Sequence, residues 1–382
     1  MKYRFHILAV PHAVSVKEYS VCAFTQKVIK LSAMLRGLGH YVTHYGHEDS
    51  VVDCDEHVTV TTNQDLEDSY PFHDWKTSGY PTFRINDKIY QTFFSNSVRE
   101  IQKRQQKNDI LLLPFACYQR PVAEALPDLI HCEPGIGYAG AFTSFKVFES
   151  YALYHAHLGP EVVMHMRNDL WYDAVIPNFF DPMDFHFQTN KKDYLLYLGR
   201  IGPGKGLHLA LQLAKATNHK LVIAGPGPID ASMIPEGKDI HDYVDYVGVV
   251  GPERRRELLS NAKATLCIST FLEPFCGVQI ESMMSGTPVI STDFGAFAEY
   301  NLHGQTGYRC RTFEQFTWAV DNIEQIKPRK CRDWAYKNFR LDRVAEMYDE
   351  YFYGVMNIYT GKGFYQENRA RTHLDWLEKD YG

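Results

Sequence analysis

Apolar positions in this chain follow two rhythms that alternate along its length: short unbroken runs, and periods of three or four residues. Residues 2–10, KYRFHILAV, form a run crossed by His6 and stopped by Pro11, which predicts a buried strand. Phe24, Val28, Leu31, Leu35 and Leu38 then lie on one face of a helix that Gly39 ends. His40-Tyr41-Val42 opens another strand, and residues 109–114 and 128–132 read as later strands followed by turn residues. The second half alternates more plainly: strand 194–199, helix 207–216, strand 220–225, helix 252–262, strand 264–270. Strands joined by helices predict an α/β protein with parallel sheets. Residues 330–382 are helical in pattern, with Trp334, Tyr336, Phe339 and Trp376 as packing residues.

A chain of 382 residues exceeds one ordinary core. The periodicity breaks at VIPNFFDPMDF, residues 175–185, and the domain boundary is placed there: residues 1–177, then 178–350, then a helical segment 351–382. In open parallel sheets ligands sit beyond the carboxyl ends of the strands, so the strand-to-helix loops carry the chemistry. A net charge of -6 speaks against general affinity for nucleic acid or anionic membrane. The first residues read as a strand rather than a signal peptide, and no apolar run approaches the roughly 18 residues of a membrane span. Eight cysteines without CxxC spacing fit a reducing, cytoplasmic setting.

Candidate chemistry begins after the strand YLLYL. In GRIGPGKG, residues 199–206, Gly199, Gly204 and Lys205 satisfy the Gly-x4-Gly-Lys spacing of a triphosphate loop, but position 206 is glycine where the magnesium-binding hydroxyl belongs. A plain glycine turn is one alternative. The other is a helix entry whose N–H groups face a diphosphate, flanked by Arg200 and Lys205. A nicotinamide fingerprint is missed both here and after the first strand, where PHAVSVKEYS has no glycine.

The stretch FLEPFCGVQIESMMSGTPVI, residues 271–290, sets Glu273 before a turn and Glu281 inside the helix that follows. A retaining glycosidase needs two carboxyls roughly 5 to 5.5 Å apart across one bond, and a turn plus a helix entry does not obviously supply that. Carboxylates accept hydrogen bonds and vicinal diols donate them, so sugar hydroxyls suit these two groups. A nucleotide sugar offers two diols with phosphates between them, which the N–H groups of Cys276, Gly277 and Val278 can face.

Together EPFCGVQIE, LGRIGPGKG, IPNFFD and GTPVISTDFGAFAEYNLHGQTGYRC resemble the retaining glycosyltransferases of the GT-B fold, family 4, over roughly residues 175–310. The resemblance implies two Rossmann-like domains, the acceptor side first and the nucleotide-sugar side second, with the last helical segment returning to the first domain. It implies transfer of a hexosyl or pentosyl group from a nucleoside-diphosphate sugar (UDP, GDP or another) with retention and without metal or other cofactor; no Asp-x-Asp pair stands in a suitable loop. Glu273 would hold donor-sugar hydroxyls and Glu281 the ribose. Arg200 and Lys205 would neutralise the departing diphosphate, beside Gly199, and the backbone amides would belong to residues 275–278, from Phe275 through Cys276 and Gly277 to Val278. The chain departs from the family pattern by writing Cys276 where a first glycine is usual, by lacking a glycine pair after the first strand, and by placing Glu133 where the second histidine of an HxH motif falls. Glu133 is therefore a candidate for touching the donor sugar or the acceptor hydroxyl. The acceptor is open: a glycan, a lipid, a small molecule or a modified nucleic-acid base. A non-hydrolysing sugar-nucleotide epimerase and a non-catalytic nucleotide-sugar-binding module stay as alternatives.

Weaker signals read as structural. His40, His44 and His47 near Asp49, and the group His155, His157 and His165, are expected to be satisfied or surface histidines. Arg99, Lys103, Arg104 and Lys107 make a basic face that suits an anionic acceptor such as DNA or a lipid phosphate but is expected to be solvated, and the Arg254-Arg255-Arg256 run, at a helix start where cations gain nothing from the dipole, serves either nucleotide phosphate or solvent, with solvent favoured.

Overall fold

The computed structural model describes residues 2–19, 22–73, 81–165, 172–202, 204–236 and 239–364; Trp376 lies outside the described residues. The chain divides into two compact units, unit 1 comprising Met1–Glu149, Tyr154–Pro177 and Asp342–Gly382, and unit 2 comprising Ser150–Leu153 and Asn178–Leu341.

Unit 1 is built from β1 (Arg4–Leu8), α1 (Ala23–Gly37), β2 (Tyr41–His47), β3 (Glu56–Thr61), α2 (Asn63–Ser69), α3 (Lys88–Gln102), β4 (Ile110–Leu112), α4 (Arg120–Glu124), β5 (Ile130–Ile136), β6 (Phe145–Phe148), most of α5 (Tyr151–His165) and β7 (Ala174–Val175). Its seven strands are parallel, in the order β3-β2-β1-β4-β5-β6-β7. Central strands such as Ile110-Leu111-Leu112 are buried throughout, the pattern of a sheet covered on both faces. α3 stops at Gln102, short of the full basic spacing read from the sequence. Lys103 and Arg104 turn back onto Glu100, and Arg104 also pairs with Glu56. His40 and His44 are buried: His44 shares a 2.9 Å hydrogen bond with His57 on the neighbouring strand, and His40 faces Asp349 at 3.4 Å.

Unit 2 contains β8 (Tyr194–Leu198), α6 (Leu207–Ala216), β9 (Lys220–Ala224), β10 (Val244–Gly248), α7 (Pro252–Asn261), β11 (Ala264–Cys267), α8 (Gly277–Met284), β12 (Val289–Thr292), α9 (Ala296–Tyr300), β13 (Gly307–Cys310), α10 (Phe313–Asp321) and α11 (Pro328–Phe339). The strands are parallel in the order β10-β9-β8-β11-β12-β13. From β8 the chain builds outward through β9 and β10, then returns to lay β11 on the other side of β8. That reversal makes β8/β11 the topological switch point, where the loops leaving the two strands part and open a crevice. β11 ends at Cys267, three residues before the sequence suggests, because Thr270 turns its N–H to the carbonyl of Gly204 at 2.7 Å. The two loops are thereby tied to each other.

The last described helix, α12 (Leu341–Tyr359), belongs to unit 1 from Asp342 onward. It buries Val344, Tyr348, Tyr351, Phe352 and Val355, sets the Phe352 ring 4.8 Å from that of Phe5, and donates the Tyr351 hydroxyl to the carbonyl of Tyr172. Trp334 and Phe339 pack as expected of them, but Tyr336 does not. It is 44% exposed, with the Arg332 and Arg340 guanidinium groups over its ring at 5.5 and 5.3 Å.

Candidate active site

The loops leaving β8 and β11 carry the site. Leaving β8, the chain passes Gly199 and the exposed Arg200 and enters α6 at Gly206, whose φ of +74° is left-handed. A methyl group on Gly206 would stand 2.1 Å from the carbonyl oxygen of Ile268. No side chain fits there, so the hydroxyl of a triphosphate loop is excluded by the neighbouring strand's exit. The Tyr197 hydroxyl donates to the Arg200 carbonyl at 3.1 Å; burial raises its pKa, and the charge of Glu273 adds to that rise while Arg200 opposes it, so both charges lie within reach of this phenol.

Lys205 reaches across to the second loop. Its Nζ donates to Oε1 of Glu273 at 2.7 Å and lies 4.5 Å from the centre of the Phe271 ring. The same Oε1 accepts the Ser269 hydroxyl at 2.6 Å. Glu273 is 4% exposed, whereas the Lys205 side chain is 28% exposed. Both bonds fall on Oε1, and among the described residues none falls on Oε2.

Phe275 anchors the turn. Its buried ring meets those of Tyr300, Phe339 and Phe180 at 5.1, 5.9 and 6.3 Å, so only its backbone is left for a ligand. Gln279, absent from the sequence reading, donates its amide to the Phe275 carbonyl and closes the turn from beneath. Cys276 takes φ +62° and ψ 79°, a left-handed conformation that glycine would adopt freely and that costs another residue roughly 1–2 kcal/mol. Cys267 and Cys276 are both free thiols, and a hydrogen bond between them, with burial second, raises the pKa of buried Cys267 well above the ordinary thiol value. Gly277 begins α8 and Val278 packs against the apolar cluster of Leu196 and Leu258. Neither Gly206 nor Cys276 supplies a side-chain cap to the helix it precedes. The first N–H groups of α6 and α8, on adjacent strands' exits, thus lack capping side chains, the arrangement that suits an anion.

Glu281 lies in α8 and is held from α7. Nε of Arg255 donates to Oε2 at 2.9 Å and Nη2 donates to the same oxygen; the side chains are 25% and 16% exposed. Among the described residues, Oε1 accepts no hydrogen bond. The other two arginines of the run find partners along their own helix, Arg254 with Glu257 and Arg256 with Glu253. The sequence reading sent all three to solvent. The signal that separates them is local: Arg254 and Arg256 each have a glutamate three positions away, and Arg255 has none at three or four positions.

Glu133 has a different setting. It lies on β5 in unit 1 and is fully buried. Oε2 accepts from the N–H of Phe142 at 2.7 Å, the N–H of Thr143 at 2.8 Å and the Thr143 hydroxyl at 3.0 Å, while Oε1 accepts the Tyr138 hydroxyl at 3.2 Å. Burial raises its pKa and the four donors pull it back. These four bonds staple the loop at residues 138–143 to β5.

Residues 181–340 match the family model for glycosyl transferases group 1. Among curated proteins, the lipopolysaccharide 1,2-N-acetylglucosaminetransferase of Salmonella typhimurium is 26% identical over 178 residues, 41% of this chain and 47% of that protein. The chain thus aligns with about half the length of that relative. Among solved structures, AviGT4, a glycosyltransferase involved in avilamycin A biosynthesis, superposes with a TM-score of 0.64 at 20% identity, covering 93% of this chain and 98% of the other. HepE of Anabaena, solved in complex with UDP-glucose, gives 0.62 at 14% identity over 92% and 99%. At such identities the likeness is one of fold, and it covers both units. Residues 181–340 thus carry the likeness to the glycosyl transferases group 1 family, and the two α/β units have the GT-B fold.

Proposed function

We propose that the chain is a retaining glycosyltransferase that moves a sugar from a nucleoside-diphosphate sugar to an acceptor hydroxyl. The observation that carries this reading is the Lys205–Glu273 contact across the switch point, with one carboxylate oxygen engaged and the other open. Glu273 offers Oε2 to hydroxyls of the donor sugar. Lys205 has three N–H donors and gives one to Glu273, so two can meet a phosphate. Arg200, at the exit of the same strand, adds a second positive charge.

In the reaction the bond between the anomeric carbon and the diphosphate oxygen breaks, and the acceptor oxygen bonds to that carbon on the same face. The acceptor's proton passes to an oxygen of the leaving diphosphate. Negative charge grows on the diphosphate as the bond breaks, and fixed donors aimed at it stabilise the transition state more than the bound donor. Arg200, Lys205 and the uncapped N–H groups of α6 and α8 are such donors, and the reading assigns no role to a metal. The solved HepE complex with UDP-glucose makes uridine diphosphosugars the first donors to try.

The test is a thermal-shift screen of UDP-, GDP-, ADP- and TDP-glucose, in which a true donor at 100 times its dissociation constant adds about 2.7 kcal/mol. Proton NMR of the product from a simple alcohol acceptor then reports the anomeric configuration. Inversion, or no stabilisation by any of the four, overturns the reading.

A further inference from the structure

We propose that Arg255 is a positioning residue of the donor site: by gripping Oε2 of Glu281 it turns Oε1 toward the nucleotide's ribose diol, and so sets selectivity for ribonucleotides. The proposal rests on the reading that a nucleoside diphosphate occupies this site with its ribose at Glu281.

Arg255 stands in the first turn of α7, after Gly251 at the N-cap and Pro252. A cation there opposes the helix dipole, so helix stability does not account for it. Its neighbours each have a glutamate of their own helix, Arg254 with Glu257 and Arg256 with Glu253, Arg256 also lying 3.9 Å from Asp184. Arg255 instead reaches α8, the helix whose uncapped N-terminus faces the switch point, and places two donors on one oxygen. A forked grip on a single oxygen fixes the rotation of the carboxylate as well as its charge, which a lone ammonium would not do. Oε1 is left with two lone pairs, the number needed to accept both hydroxyls of a vicinal diol. The pair parallels Lys205–Glu273, where a cation from one loop also occupies one oxygen and leaves the other.

The experiment compares UDP with 2′,3′-dideoxy-UDP by isothermal titration, with GDP and its dideoxy form as the second pair. Both members of a pair carry the same diphosphate, so their affinity ratio reports the ribose subsite alone. The intact protein should prefer the ribose form by about 10-fold or more, the usual worth of hydrogen bonds to a charged group. Arg255→Ala should bring the ratio below about 3-fold, Arg255→Lys should restore part of it, and Arg255→Ala should add nothing once Glu281→Gln is present. If Arg255→Ala does not fold, Arg255→Gln, which keeps most of the side chain's bulk, is measured in the same way. An unchanged ratio in a folded variant, or full additivity with Glu281→Gln, overturns the proposal while leaving the donor site in place. Failure of the intact protein to bind any of these diphosphates overturns the functional reading itself, and the positioning role with it.

Discussion

Glu133, on β5 of unit 1, and the pair Glu273, in the loop after β11, and Glu281, in α8, of unit 2 are carboxylates satisfied in opposite ways. Glu133 takes four donors, all from residues 138–143 of its own loop, and both of its oxygens are engaged. Glu273 and Glu281 each have one oxygen held by a cation from another element, Lys205 and Arg255, while the second oxygen accepts no bond among the described residues. Backbone N–H groups cannot leave a carboxylate without unfolding the loop that carries them. A lysine on a flexible stem can shift toward a phosphate at little cost. Depth alone therefore does not separate an acid held by its own loop from one held by a distant cation: Glu273, at 4% exposure, is nearly as buried as Glu133 at 0%. What separates them is which groups supply the bonds and how many lone pairs stay open.

The largest effect should come from Lys205→Ala, which removes the donor proposed for the leaving group and deprives buried Glu273 of its countercharge. Turnover should drop by about 10²-fold or more with the fold intact by circular dichroism; near-normal turnover would erase the distinction drawn for unit 2. Glu133→Gln should do the reverse. It keeps an oxygen for the Phe142 and Thr143 donors but removes the charge they satisfy and turns an NH2 toward the Tyr138 hydroxyl, so the protein should lose about 1 to 3 kcal/mol of stability in denaturant titrations while nucleotide affinity stays within about 3-fold. A large affinity loss at unchanged stability would mean that Glu133 acts on the ligand after all.

Acid should next distinguish unit 1. His12 is buried against Tyr90 and Phe83, and burial lowers its pKa from 6.5 to about 3. Between those values the unfolded chain binds a proton that the folded chain refuses, so stability is complete above pH 6.5 and is lost as pH falls. The slope from this group approaches about 1.4 kcal/mol per pH unit. His12→Gln, which can still bond the Tyr90 hydroxyl, should flatten the stability profile below pH 6.5 by about that slope; an identical profile would show that His12 is not buried neutral. The smallest effect is expected of Cys276→Gly. Relief of roughly 1 kcal/mol of left-handed strain is offset by about 0.5–1 kcal/mol of added chain entropy in the unfolded state and by loss of the Cys267 contact. Stability should move by less than about 1 kcal/mol, and a larger loss would show that the two thiols hold the turn.

Much of this was legible in the residues. Unbroken apolar runs such as YLLYL can be buried on both faces only in a covered parallel sheet, and GRIGPGKG and EPFCGVQIE stand where the loops of such a sheet must be. The Lys205–Glu273 contact was not legible: the two residues are 68 positions apart and meet because β8 and β11 are neighbours. The four donors on Glu133 were not legible either, since they come from a loop conformation that periodicity does not report. Tyr336 was misjudged because helical period alone does not say that Arg332 and Arg340 flank it at the surface. Arg255 could have been singled out by its missing local partner, but not its destination.

By itself, the sequence determined the α/β class, the alternation of elements and the loops that bear charge, because each depends on period, punctuation and composition over a few neighbouring residues. Only the tertiary structure decided which cation meets which carboxylate and which carboxylate oxygens stay open. Those outcomes depend on the lateral order of strands and on the rotation of side chains within a packed sheet edge, and no local pattern along the chain encodes either.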